Sequence, residues 1–88
     1  MTRVVWKFGL CEPPYAIDVR MPRGARVVAV GRQAGRMQLW AVCDPDAEEE
    51  TRRFVVFGTG QAGVPPDAVY LGVVFDGIYV WHVFEVSR

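Results

Sequence analysis

Apolar and polar residues alternate with a period of two along most of this chain, and Gly, Pro and Asp cut the alternating runs at short intervals. Such a pattern builds half-buried strands, and the strands must stack or close on one another to bury their apolar faces. Thr2 to Phe8 sets Val4, Trp6 and Phe8 on one face and Arg3, Val5 and Lys7 on the other. Gly9 to Tyr15, with Pro13-Pro14, ends that run. Ala16 to Met21 alternates Ile17 and Val19 against Asp18 and Arg20 before Pro22 and Gly24 break the ladder, which fits an edge strand.

Two hairpins follow from the turn residues. Ala25 to Arg32 and Arg36 to Asp44 flank Ala34-Gly35, a two-residue turn in which Gly can take positive φ. The implied register sets Val30 against Leu39, Val28 against Ala41, and Ala29 against Trp40. Val69 to Phe75 and Ile78 to Val86 flank Asp76-Gly77, whose register would pair Phe75 with Ile78, Val73 with Val80, Leu71 with His82 and Gly72 with Trp81. Between the hairpins, Pro45 to Glu50 reads as an acidic connector, Arg53 to Phe57 as extended, and Gly58 to Ala68 as a long irregular loop. The expected fold is a single domain over residues 1–88, mainly β, a small antiparallel β-sandwich or partly open β-barrel of about six to seven strands.

Composition narrows the function classes. With 88 residues there is room for one core, and a sequence that is 51% hydrophobic and 12% aromatic leaves apolar surface over, which favours a homo-oligomer. Ten basic and ten acidic residues cancel, so no net field attracts a phosphate backbone and nucleic acid is not the expected partner. Arg20, Arg23, Arg26, Arg32 and Arg36 precede Asp44, Asp46, Glu48, Glu49 and Glu50, a grouping that solvated strand faces and loops explain. Cys11 and Cys43 lie far apart with no histidine cluster, so both are read as free and reduced, with no metal and no cofactor. Charged residues interrupt the N-terminal stretch and no apolar run reaches the ~20 residues of a membrane span, so the expected location is the cytosol and no membrane partner is expected.

His82 is the single histidine, and a histidine acid or base would have to be this one. Its face is otherwise apolar, and Cys11, Cys43 and Ser87 sit in no nucleophile motif, so a satisfied, half-buried core imidazole is the simpler reading and no catalytic residue is assigned. Gly58-Thr59-Gly60-Gln61 follows a strand, where a glycine turn can aim backbone N–H groups at an anion and Thr59 and Gln61 can add donors. It lacks the lysine and the following helix of a phosphate loop. Trp40 and Trp81, with other aromatics, offer flat surfaces for a ring, although core packing also uses them. The candidate ligand-binding set is therefore Trp40, Arg53, Gly58, Thr59, Gly60, Gln61, Trp81 and His82.

The ordered segments Pro22-Arg23-Gly24-Ala25, Leu39-Trp40-Ala41-Val42-Cys43-Asp44-Pro45, Phe57-Gly58-Thr59-Gly60, Tyr70-Leu71-Gly72 and Val80-Trp81-His82-Val83-Phe84-Glu85 span nearly the whole chain. In this order they resemble a family of short proteins of no established function, encoded mainly by bacteriophages and prophages. Cys43 stands where the family pattern has Val, and Gln61 where many members carry His, so a two-histidine site does not carry over. The resemblance implies a phage-type accessory protein that binds rather than catalyses, taking a nucleotide-like small molecule or antiviral signal, or a host protein. The alternative is a structural protein that binds itself or a host protein through an apolar β surface.

Overall fold

The computed structural model describes residues 2–10 and 16–87; the Pro13-Pro14 break and Cys11 lie outside the described residues. Among the described residues there are seven strands: β1 (Val4–Gly9), β2 (Ala16–Pro22), β3 (Arg26–Gln33), β4 (Arg36–Cys43), β5 (Glu49–Gly58), β6 (Val69–Asp76) and β7 (Tyr79–Val86). They form two antiparallel sheets, ordered β1-β4-β3 and β2-β5-β7-β6, a small β-sandwich, one of the two arrangements that the alternation leaves open. The shortest dimension, 16 Å, suits two layers packed about 10 Å apart.

The core is built from alternate positions. Met37, Leu39, Ala41 and Cys43 of β4 face Phe54 and Val56 of β5, Val74 of β6 and Val83 of β7, with Met21 and Ala25 buried at the Cys43 end of β4 and Leu10 at its Met37 end. β2 is an edge strand, and Pro22 ends it in the turn Pro22–Ala25, where the Ala25 N–H donates to the Pro22 carbonyl (3.1 Å). The extended run assigned to Arg53–Phe57 begins earlier, at Glu49, because β2 pairs along it as far as Pro22 opposite Glu49.

The β3–β4 hairpin turns at Ala34-Gly35, with both residues at positive φ (53° and 74°). Its register has Val30 opposite Leu39 and Ala29 opposite Trp40, but Val28 is extruded as a bulge and Val27 takes the place opposite Ala41. The bulge leaves Val28 half exposed.

The β6–β7 hairpin departs further. Asp76 pairs with Tyr79, so the turn is Gly77-Ile78, and Val73 lies opposite His82 with Val80 opposite Phe75. Relative to the expected register each β6 residue slides by two along β7, until a bulge between Tyr70 and Gly72 shifts it again. Trp81 is consequently not beside Gly72. It lies opposite Gly58 of β5, and a β-carbon on Gly58 would stand 3.1 Å from the indole.

The long loop has a topological cause. β5 and β6 both flank β7 and run antiparallel to it, so residues 59–68 must carry the chain back along β7 from the Trp81 end to the Glu85 end. Gly63 passes against Phe57, where a β-carbon would come within 3.9 Å of the ring, and Phe57 points away from the core. The strap therefore crosses the outer face of the four-stranded sheet, and it covers part of the aromatic surface there.

Candidate functional site

Neighbouring residues of a strand point to opposite faces, so Trp81 and His82 cannot serve one pocket. Trp81 faces inward beside the buried Val83, and His82 faces outward under the strap. The turn Gly58–Gln61 sits at the strand end between them, and it serves both sides.

On the outer side, the His82 imidazole is held at both nitrogens. Thr59 Oγ1 lies 2.8 Å from Nε2 and Tyr70 Oη lies 2.9 Å from Nδ1. Phe57, Phe84 and Tyr70 pack edge to face around it, with centroids 6.1 Å (Phe57–Phe84) and 5.2 Å (Tyr70–Phe84) apart. The imidazole is satisfied and half-buried, as the residue pattern suggests, but it belongs to the outer face rather than to the core. The physical reason is that β7 is apolar on both sides, Val80 and Phe84 on one and Trp81 and Val83 on the other, so alternation alone does not select the inner face.

On the inner side, the Tyr79 and Trp81 rings stack at 5.6 Å with planes 17° apart. Tyr79 is 57% exposed, and Gly58, Thr59, Ile78, Tyr79, Val80 and Trp81 line an open cleft of about 490 Å³ at this end of the sandwich. The Trp81 Nε1–H is buried and has no hydrogen-bond partner among the described residues. Leaving such a donor unmatched costs about 1–3 kcal/mol.

The glycine turn is not an anion cradle. The Gly58 N–H donates to Gln61 Oε1 (3.0 Å), the Thr59 N–H to the Val80 carbonyl (3.1 Å) and the Gln61 N–H to the Gly58 carbonyl (3.0 Å). The donors expected for a ligand are spent on closing the turn, which Gly60 permits by taking a φ of +88°. Gln61 is a staple of that turn, and Thr59 holds the histidine.

Two members of the sequence-derived set lie elsewhere. Trp40 is on the outer face of the three-stranded sheet, opposite Lys7 and Ala29, with its ring over Gly31 (3.6 Å to a β-carbon placed there). Arg53 is five residues along β5 from Gly58, about 16 Å away, and its guanidinium is bound to Asp18 at 2.9 Å. That hydrogen bond, together with the Asp18 charge, raises the Arg53 pKa. Arg20 and Arg32 also face carboxylates, Glu49 (3.2 Å) and Asp76 (3.6 Å). Gly58, Thr59 and Trp81 do come together at the cleft, with Gly60 and Gln61 in the adjoining turn, while the Thr59 hydroxyl reaches His82 on the outer side.

Sequence reasoning missed Ile78, and it counted Tyr79 and Tyr70 among the aromatics able to stack a ring without placing either in the candidate set. Tyr79 was legible, since it stands two residues from Trp81 on the same strand face and next to a hairpin turn. Tyr70 was not, because only the bulge beside it turns its hydroxyl towards His82.

Cys43 offers no nucleophile. It is 3% exposed, and burial followed by the nearby Asp44 carboxylate pushes its thiol pKa up. The unfolded chain therefore ionises this thiol first, so its contribution to stability is complete below the ordinary thiol pKa of 9.0 and is lost as pH rises towards the folded value. In a Cys11→Ser background, Cys43 should react with a disulfide reagent at pH 8 only as fast as the protein opens. Reaction at the rate of a free peptide thiol would show that the side chain is accessible.

No curated protein and no solved structure matches the chain. A family model does, over residues 1–88, and it spans every element of the two sheets and both sides of the Gly58–Gln61 turn. The chain belongs to the family described as a domain of unknown function, DUF7352.

Proposed function

We propose that the protein acts by binding rather than by catalysis, and that the β6–β7 hairpin is its binding surface. The observation that carries this reading is where the exposed apolar side chains lie. Of the nine large ones among the described residues, Val69, Tyr70, Phe75, Ile78 and Tyr79 are on this single hairpin, with Phe75 74% and Ile78 90% exposed. Scattered apolar residues are normal on a surface, whereas their concentration on one hairpin, with Phe75, Ile78 and Tyr79 together at its tip, suits an interface.

The reading is that of a phage-type accessory protein in the host cytosol, and the motif order given above supports it. Its ligand side is the hairpin tip with Tyr79 and Ile78, suited to a nucleotide-like small molecule. Its outer side, with Phe75 and Tyr70, suits a second copy of the chain or a host protein.

Catalysis is poorly served by the same geometry. Thr59 and His82 meet as a hydroxyl and a base would, but the partner at Nδ1 is Tyr70, a neutral phenol that stabilises an imidazolium far less than a carboxylate does. The backbone N–H groups of Gly58, Thr59 and Gln61, which would have to hold an oxyanion, are already engaged.

Sedimentation velocity over a wide concentration range tests the outer side. The wild type should be larger than one chain and Phe75→Glu should be a folded monomer. If Phe75→Glu associates as the wild type does, the hairpin is not the self-association surface. Turnover of any substrate that His82→Ala abolishes in a folded protein would replace the binding reading with an enzymatic one.

A further inference from the structure

Tyr79 is held flat against Trp81 on one side, and the exposure of its ring at the hairpin tip leaves its outer side to solvent. The stack is rigid at its base. Trp81 is clamped over Gly58, whose missing side chain admits the indole, and the Gly58–Gln61 turn beside it is closed by two hydrogen bonds of its own and tied to β7 by a third, from the Thr59 N–H to the Val80 carbonyl. An aromatic ring that is pre-oriented in this way needs little ordering to accept a further ring.

The chemistry of the cleft limits what that ring can be. Gly58, Thr59, Ile78, Tyr79, Val80 and Trp81 include no charged side chain, and the backbone N–H groups of Gly58, Thr59 and Gln61 are already engaged within the turn or with the Val80 carbonyl. A phosphate or carboxylate would lose its hydration and gain no cation there. Ile78 supplies an apolar wall beside Tyr79, and the remaining polar groups are few. We infer that the hairpin-tip cleft, formed by Tyr79 stacked on Trp81 with Ile78 at its side, binds a planar, uncharged heteroaromatic ring of the nucleobase class and leaves any phosphate attached to it in solvent.

This rests on the hairpin being the binding surface, and it adds which end takes a small molecule and by which chemical part. The test is a titration of the full chain with adenosine, guanosine, cytidine and uridine and with their 5′-monophosphates, read by tryptophan fluorescence. At least one nucleoside should bind saturably, its monophosphate should bind within about threefold of it, Tyr79→Phe should keep the affinity, and Tyr79→Leu should weaken it at least about tenfold. Tyr79 is exposed, so both variants should fold, which circular dichroism checks. Unchanged affinity in Tyr79→Leu, a monophosphate preferred by tenfold or more, or no binding by any nucleoside would overturn the inference. If no nucleoside binds while association still depends on Phe75, the ring site fails and the hairpin reading stands.

Discussion

Arg52→Ala should destabilise the fold more than any other arginine substitution, by about 2–4 kcal/mol in chemical denaturation. The Arg52 guanidinium makes a two-pronged contact with Glu85 (Nε–Oε2 2.7 Å, Nη2–Oε1 2.8 Å), and its third nitrogen donates to the Ala25 carbonyl. The side chains are 17% and 25% exposed, so the pair is shielded although not dry, and the figure sits towards the low side of the range for fully buried pairs. The Glu85 hydrogen bond raises the Arg52 pKa against the lowering effect of its burial. Because Ala25 directly precedes β3 while Arg52 and Glu85 belong to β5 and β7, the contact ties the two sheets together at one end. Removing the arginine leaves a half-buried carboxylate and an unmatched carbonyl. Arg52→Met with Glu85→Leu should recover most of the loss, since the penalty comes from the group left behind. Arg53→Ala, which breaks a more exposed contact with Asp18, should move the midpoint little. If Arg52→Ala costs no more than Arg53→Ala, the inter-sheet tie has no energetic weight.

Gly72→Ala should also destabilise the fold, by about 1–3 kcal/mol. A β-carbon at Gly72 would stand 2.7 Å from Cγ2 of Val30, nearer than packed carbons tolerate. Val30 is β-branched and packs against the core, so it cannot swing aside without disturbing β3. This is where the edge strands β3 and β6 of the two sheets come close. Val30→Ala alone should cost less than the sum suggests, and Val30→Ala with Gly72→Ala should be more stable than Gly72→Ala by itself. Strictly additive losses in that cycle would mean that the two positions do not touch in solution.

The strands and their number were legible because alternation and turn chemistry agree along this chain. The β3–β4 register came out at Ala29–Trp40 and Val30–Leu39 because Ala34-Gly35 fits a two-residue turn, and it failed only at the Val28 bulge, which no local signal marks. In the β6–β7 hairpin the Asp-Gly pair pointed to the wrong two residues. Gly77 does occupy a turn position, at φ +62°, but its companion is the apolar Ile78, a residue that turn propensities disfavour. The placement of Trp81 over Gly58 followed the rule that a ring shields a strand glycine, although sequence reasoning chose the glycine on the wrong neighbour. The candidate site was half legible. Glycines and aromatics could be picked out by type, but which of them share a side depends on the β5-β7-β6 order and on the crossover of residues 59–68, and both are long-range properties.

The hairpin also explains why the Thr59–His82–Tyr70 contacts do not need a catalytic role. They tie the start of the strap to β7 and β6, on the sheet face that the strap crosses. His82 thus positions the Gly58–Gln61 turn from one side while Trp81 supports it from the other.

Native mass spectrometry of gently purified protein, wild type beside Phe75→Glu/Tyr79→Ser, is the most direct test of the hairpin as the binding surface. The wild type should retain a companion, a second copy or an added small mass released on denaturation, and the folded double variant should fly as the bare chain. A double variant that carries the same companion as the wild type, or a wild type that is itself a bare single chain, would contradict the account.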